Sequence, residues 1–126
     1  VHLQSGCKIS YVPQKVHLFG RMDAFVQMAS IDETLFKTIL RKLNFDRAHF
    51  EHNLEELSVG QQKKIMLAMS LCQSAHLYLW DEPMNYIDVL SRIQLENLLT
   101  EYHPTMILVE HDAAFIEKVA TRIITM

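Results

Sequence analysis

Two acidic residues and a histidine follow short apolar runs in the second half of the chain. Asp81 and Glu82 come directly after the run LYLW at residues 77–80, and His111 comes just after the run MILV at residues 106–109. The spacing is that of one strand–helix–strand unit of about 30 residues, whose two strands run parallel and end at the same sheet edge. Carboxylates at such an edge suit a Mg²⁺ ion and a general base, and an imidazole can donate to a phosphate oxygen. The pattern favours phosphate hydrolysis, with simple solvation of a strand end as the alternative.

A second candidate segment is LSVGQQKK at residues 57–64. Ser58 and Gln61 stand three positions apart, which is the spacing of a capping box at the start of a helix. The free N–H groups of a helix start, with Gly60 allowing close approach, also make an anion site. The two interpretations are compatible, because a capping hydroxyl can turn toward a phosphate.

The hydrophobic periodicity predicts the elements that must position these residues. Apolar residues at helical spacing predict a mostly helical stretch over residues 22–52, capped within it by Asp32, and further helices over residues 59–72, 88–102 and 113–120. Short apolar runs predict parallel strands buried on both faces over residues 76–80 and 106–109, with a last strand over residues 122–126. Alternation on both sides of Ser5-Gly6 predicts a hairpin or a sheet edge at residues 1–12. The fold class is therefore α/β.

Composition bounds the class of protein. The 126 residues are 49% hydrophobic and 21% charged, with a formal net charge of −3. These values predict one folded core and exclude a disordered tail or a strongly basic nucleic-acid-binding surface. Two cysteines and the absence of a signal peptide indicate a reducing, cytoplasmic setting. No apolar run approaches the roughly 20 residues of a membrane span, so we expect no direct membrane insertion.

These pieces occur in a fixed order that resembles the nucleotide-binding domain of an ATP-binding-cassette (ABC) ATPase. The matching motifs are the Q-loop, the LSGGQ signature, the Walker B strand with its glutamate, the D-loop and the switch histidine. In this sequence they are YVPQ at residues 11–14, LSVGQ at 57–61, LYLWDE at 77–82, NYID at 85–88, and His111. The resemblance covers almost the whole chain and implies ATP and Mg²⁺ as ligands.

The subfamily can also be read from the motifs. The run DEPMNYID at residues 81–88 and the pair Lys63-Lys64 resemble the second cassette of the soluble F subfamily, closest to its antibiotic-resistance members that protect ribosomes. The resemblance implies an ATPase that acts on the ribosome, as a translation factor or a resistance protein. Its implied partners are a second cassette in the same full-length chain and the ribosome.

At the strand ends, the resemblance implies a role for each matching residue. Gln14 would sense Mg²⁺ and the attacking water. Asp81 would support Mg²⁺, Glu82 would polarise the water, and His111 would hold the γ-phosphate.

The signature and the D-loop carry the remaining implied roles. Ser58 and Gly60 would contact the γ-phosphate of an ATP bound on the opposite cassette, and Gln61 belongs to the same nucleotide site. Asp88 would tie the two cassettes together at that site. Val59 replaces the first signature glycine, and its β-branched side chain is expected to crowd the approach of the phosphate.

One family element has no counterpart in the sequence. The glycines are Gly6, Gly20 and Gly60, so the chain holds no G-x-x-x-x-G-K-[ST] loop. We expect that loop upstream of Val1, and therefore a partial cassette, without its P-loop half, that is inactive alone. Half a sheet exposes an edge and an apolar face, so we also expect this piece to self-associate.

The expected organisation has three parts: core strands and Q-loop at residues 1–14, a helical subdomain with the signature helix at 15–75, and an α/β part at 76–126. Two other functions stay open. Residues 22–52 could be a non-catalytic interaction surface for RNA or protein, although their interleaved charges favour a solvated helix face. The same residues with the Gln14 loop could instead dock a membrane domain, as in the nucleotide-binding subunit of a transporter.

Overall fold

A three-stranded parallel sheet organises the chain in the computed structural model, which describes residues 6–120. The strands are β1 (Ile9–Val12), β2 (Leu77–Asp81) and β3 (Met106–Val109), in the order β1-β2-β3. Val12 pairs with Trp80, and Trp80 pairs with Leu108. Because β2 and β3 are parallel, Asp81 and the residues after Val109 leave the sheet at the same edge. The predicted parallel α/β arrangement is confirmed.

Helices fill the chain between and after the strands. They are α1 (Met22–Ala29), α2 (Glu33–Lys42), α3 (Val59–Cys72), α4 (Val89–Tyr102) and α5 (Ala113–Val119), with short 3₁₀ helices at Arg47–Glu51 and Leu54–Glu56. Asp32 caps α2 through the N–H of Leu35, as predicted. The predicted helical stretch over residues 22–52 is divided, because Ser30 and Asn44 adopt left-handed backbone angles, φ 54° and φ 60°, that end a helix. None of the helices within residues 6–120 combines the length and apolar character of a bilayer span.

The core contains buried side chains from β1, β2 and all five α-helices. Trp80 of β2 is completely buried, and its indole N–H donates to Ser70 Oγ of α3 at 2.8 Å. Ser10 of β1 joins the same Ser70 hydroxyl at 2.6 Å. This polar link between the strands and the signature helix satisfies groups that would otherwise be costly to bury.

The two faces of the sheet differ, which corrects the prediction of strands buried on both faces. Val12 and Trp80 point to the buried face, whereas Tyr11 and Ile107 point to the other face and are 50% and 53% exposed. An apolar strand sequence does not reveal whether a second layer covers it, and within residues 6–120 only one face of the sheet is buried. Self-association of the chain stays a prediction.

The predictions for the two ends of the chain are tested only in part. The strand over residues 122–126 and the first arm of the hairpin, residues 1–4, lie outside the described residues. The second arm, β1, pairs in parallel with β2 and is an edge strand of the described sheet.

Candidate functional site

Glu82 and His111 meet at the carboxyl ends of β2 and β3. His111 Nε2 lies 2.9 Å from Glu82 Oε1, and the side chains are 83% and 15% exposed, respectively. Asn85 donates from Nδ2 to the other carboxylate oxygen of Glu82 at 3.0 Å. The carboxylate is thus held between two side chains, while the imidazole remains accessible to a ligand from solvent.

The backbone at Glu82 is strained. Its φ of 46° lies in the left-handed region, which costs a non-glycine residue about 1–2 kcal/mol. The Glu82 N–H donates to the carbonyl of Val109 at 2.6 Å, which ties this residue to the end of β3. Asp81, the last residue of β2, is half-buried beside it. Backbone strain held in place by a neighbouring strand is a common feature of functional sites.

Glu110 links the two loops that carry Glu82 and His111. Its Oε2 accepts the N–H of Met84 at 3.1 Å, and its Oε1 accepts the N–H groups of His111 at 2.9 Å and Asp112 at 3.2 Å. Hydrogen bonds from backbone N–H to a carboxylate are strong, charge-assisted contacts. Glu110 therefore fixes the spacing of the two strand ends, a role that the sequence analysis did not assign.

The loop of Gln14 follows β1 at the same edge of the sheet. The Gln14 side chain is exposed and makes no hydrogen bond with any residue between 6 and 120. Its carbonyl, with that of Pro13, accepts hydrogen bonds from Lys63 Nζ of α3, at 2.9 Å and 3.1 Å. The backbone of the Gln14 loop is thus attached to α3 through Lys63, and the side-chain amide of Gln14 remains available to a ligand.

The start of α3 forms the predicted capping box. Ser58 Oγ accepts the N–H of Gln61 at 3.1 Å, and Gln61 Oε1 accepts the N–H of Ser58 at 3.1 Å. Gln61 Nε2 also lies 2.9 Å from His49 Nδ1. Val59 is 53% exposed and does not disturb either capping bond. In this structure Ser58 and Gln61 act as helix-capping residues.

Gly60 lies directly against the loop that follows β2. A Cβ at this position would be 2.5 Å from the backbone carbonyl oxygen of Tyr86. Tyr86 itself has a left-handed φ of 68°, and its side chain is 63% exposed. The position therefore requires glycine for packing within the chain, besides any role toward a phosphate.

Asp88 joins helix α4 to helix α3. As the N-cap of α4 it accepts the N–H of Ser91 at 3.1 Å, and it pairs with Lys64 Nζ of α3 at 2.7 Å. Burial alone would raise the pKa of Asp88, but the hydrogen bonds from Lys64 and Ser91 outweigh it and lower the pKa to about 2. Asp88 stays ionised throughout the physiological range.

The predicted site residues thus form two sets. We call Gln14, Asp81, Glu82 and His111 the strand-end group, and Ser58, Gly60, Gln61 and Asp88 the signature group. Within residues 6–120, no hydrogen bond or ion pair joins a member of one group directly to a member of the other. Lys63 provides the link from α3 to the Gln14 loop.

Oxygen donors for a magnesium ion are present in the strand-end group. Asp81 carries a carboxylate and Gln14 an amide oxygen, which are donors that Mg²⁺ prefers, whereas the two carboxylate oxygens of Glu82 are already engaged with His111 and Asn85. A bound Mg²⁺ would neutralise phosphate charge beside Glu82. In the described part of the chain, no set of three or more His, Cys, Asp and Glu side chains is gathered as a metal centre.

Comparison with known proteins decides the family. The family model described as ABC transporter matches residues 2–85. The chain belongs to the ABC family. Its cassette ATPase fold is confirmed, and ATP with Mg²⁺ is the general ligand of that family. The assignment of residues 77–82 as the Walker B motif stays a prediction, and the resemblance to the F subfamily is confirmed by the relatives below.

The chain spans only a short part of the curated relatives it matches, which are longer proteins. The chain is 34% identical to the ribosome protection protein VmlR of Bacillus subtilis (strain 168), over 65% of this chain and 15% of VmlR. It is 31% identical to ABC transporter F family member 2 of Arabidopsis thaliana, over 70% of this chain and 13% of that relative. The solved ATP-binding subunit of an ABC transporter superposes with a TM-score of 0.76 at 19% identity, over 89% of this chain and 52% of that chain, which shows the shared fold.

Three residues that contribute to the site were not assigned a role from the sequence: Lys63, Lys64 and Glu110. The two lysines are buried although they belong to a helix start rich in polar residues. Apolar residues lie on every side of α3, so the sequence could have indicated that these two lysines are buried. A buried lysine requires a partner, which would have marked both as residues of interest. Glu110 adjoins His111, but only the return of the chain to Met84 defines its contacts.

Proposed function

We propose that this chain is part of an ATP-hydrolysing cassette of the F type that acts on the ribosome, in translation or in antibiotic resistance. The observation that carries the proposal is the 2.9 Å contact between Glu82 Oε1 and His111 Nε2 at the ends of two parallel strands. In this role Glu82 polarises the attacking water, and His111 donates to the γ-phosphate. Asp81 and Gln14 contribute oxygen ligands to Mg²⁺.

The signature group serves the same reaction from the other side. Ser58, Gly60 and Gln61 at the start of α3 face a nucleotide held by a second cassette of the full-length chain, and Asp88 stabilises the loop at that interface. The exposed side chains of Ser58 and Val59 leave the helix start accessible to such a partner. The three-part organisation at residues 1–14, 15–75 and 76–126 belongs to this proposal, as does a cytoplasmic location.

The ribosome is proposed as partner on the strength of the relatives. VmlR is described as a ribosome protection protein, and 65% of this chain aligns with 15% of VmlR at 34% identity. The nucleotide-binding subunit of a membrane transporter is the second candidate, supported by the shared fold of the solved transporter subunit. Because that likeness is one of fold, the two functions differ in partner rather than in the chemistry of the strand-end group.

Turnover and partner can be tested in the complete gene product. Mg²⁺-dependent ATP hydrolysis is expected, and Glu82→Gln should lower it about 100-fold or more, because general-base catalysis contributes at least that much. Glu101→Gln makes the same chemical change on an exposed helix position and should leave turnover unchanged. Residues 1–126 alone are expected to show no turnover above their own Glu82→Gln variant.

The same variant can be used to identify the partner of the protein by cosedimentation. Because Glu82→Gln should hydrolyse ATP slowly, we expect it to retain ATP and to sediment with ribosomes in the presence of ATP and not in its absence. Cofractionation with membranes instead of ribosomes would favour the transporter subunit. Equal hydrolysis by the wild-type and Glu82→Gln proteins would contradict the catalytic assignment itself.

A further inference from the structure

A lysine side chain is buried in the middle of the site, between α3 and the loop after β1. Lys63 is 1% exposed, which is rare for lysine unless its ammonium is paired. Its Nζ donates to the carbonyls of Pro13 and Gln14, at 3.1 Å and 2.9 Å. Two consecutive backbone carbonyls are therefore held by one side chain from another element.

The charges around Lys63 come from the strand ends. Burial lowers the pKa of Lys63, while the negative charges of Asp81, Glu110 and Glu82 act in the opposite direction. The ammonium thus lies close enough to the strand-end carboxylates to be influenced by them, while its hydrogen bonds are made to the Gln14 loop.

The neighbouring lysine has a different partner. Lys64 is also buried, at 7% exposure, but its Nζ pairs with Asp88 at the start of α4. Two successive lysines of α3 therefore contact two different loops. A substitution of one lysine removes its own contact and leaves the contact of the other in place. Lys64 supplies a matched control for Lys63.

We propose that Lys63 is a positioning residue of the nucleotide site: its two hydrogen bonds fix the Gln14 loop to the signature helix, so that Gln14 moves with α3. Lys63 acts through Gln14 and touches neither nucleotide nor water. The proposal rests on the proposed ATPase function only where turnover is the measurement. The attachment of the loop can be measured without ATP.

Attachment is tested by limited proteolysis of the complete gene product. Lys15 is exposed in the loop beside Gln14, so trypsin can cleave after it whenever the loop leaves α3. Lys63→Met keeps an unbranched side chain that is one atom shorter but removes its donors, and we expect cleavage after Lys15 roughly tenfold faster. Lys64→Met should leave that cleavage rate unchanged, and Lys63→Arg should restore slow cleavage because it keeps the cation and its donors.

Turnover provides the second measurement. Lys63→Met should lower kcat about tenfold and leave KM for ATP within about twofold, because the loop is misplaced while nucleotide contacts remain. In the Gln14→Ala background, Lys63→Met should lower kcat by less than about twofold, because the residue through which it acts is already missing. A merely structural lysine would lower kcat by the same factor in both backgrounds.

The outcomes separate the two proposals. Absence of ATP hydrolysis in the wild-type gene product would overturn the proposed function, while the cleavage rates would still test Lys63. Unchanged cleavage after Lys15 in Lys63→Met, or equal losses of kcat in both backgrounds, would overturn the positioning role. If circular dichroism shows that Lys63→Met is unfolded, Lys63→Gln replaces it: its shorter amide reaches one carbonyl at most, so cleavage as slow as in the wild type would overturn the proposal.

Discussion

The strand-end group and the signature group use their polar side chains in different ways. In the strand-end group, Glu82 contacts His111, and the imidazole is 83% exposed. In the signature group, Ser58 and Asp88 cap helices α3 and α4, and Gly60 packs against the backbone of Tyr86. His111 and Gln14 of the strand-end group present their side chains to solvent, whereas the signature group is engaged in holding its own segments together.

Because of this difference, substitutions in the signature group and at His111 should have different effects on stability and on turnover. A change in the signature group removes an intramolecular contact, so it should lower the free energy of unfolding whether or not nucleotide is present. A change at His111 removes an exposed group, so it should affect turnover and leave the free energy of unfolding almost unchanged. Stability and turnover measured on the same variants therefore test whether the two groups differ as the contacts indicate.

The largest loss of stability is expected at Gly60. An added Cβ would lie 2.5 Å from the Tyr86 carbonyl oxygen, so Gly60→Ala must displace backbone. Overpacking costs about 1–3 kcal/mol, and the better helix propensity of alanine offsets up to about 1 kcal/mol. We expect a net loss of about 2 kcal/mol in urea unfolding followed by Trp80 fluorescence. The adjacent and exposed Val59→Ala should change stability by less than about 0.5 kcal/mol, and equal stability of the two variants would contradict the close packing.

An intermediate and pH-dependent loss is expected at Asp88. Asp88→Asn keeps a capping side chain but removes the charge that faces Lys64, which costs about 1 kcal/mol at neutral pH. The pKa of Asp88 is lowered from 3.8 to about 2 in the folded chain, so the ionised group stabilises the fold above pH 3.8. That contribution is lost as the pH falls through about 2.

The measurement is the difference in unfolding free energy between wild type and Asp88→Asn across pH 2 to 7. It should shrink toward zero at the acid end. Asp46→Asn is the matched control, because Asp46 caps a 3₁₀ helix through Ala48 and has no lysine partner among residues 6–120. A constant difference across this pH range for Asp88→Asn would show that the ion pair with Lys64 is not what stabilises the cap.

The smallest change of stability is expected at His111. Its exposed ring contributes little packing, so His111→Ala should alter the free energy of unfolding by less than about 0.5 kcal/mol. ATP turnover of the complete gene product should fall about 100-fold, because the donor to the phosphate is lost. His17→Ala removes another exposed histidine and should change neither quantity. A large loss of stability at His111 would remove the contrast between the two groups.

Local sequence patterns predicted the elements of this chain well. Helix α3 covers Val59–Cys72 as the periodicity indicated, and Asp32 and Ser58 cap their helices as predicted. Capping, helical periodicity and short apolar strands depend on residues within a few positions of one another, so one sequence contains the information. The approach of Glu82 to His111 was also predictable, because parallel strands of one unit end at the same edge.

The sequence by itself therefore determined the family and the order of the elements, and it predicted the approach of Glu82 to His111. Only the tertiary structure decided which residues support them. Lys63 contacts Gln14 across 49 positions, and Glu110 contacts Met84 across 26 positions. Likewise, only packing showed which strand residues within 6–120 lie on the exposed face of the sheet and that Gly60 is required beside Tyr86. The physical reason is that burial and hydrogen-bond partners depend on what the folded chain brings to a side chain, and local sequence does not contain that information.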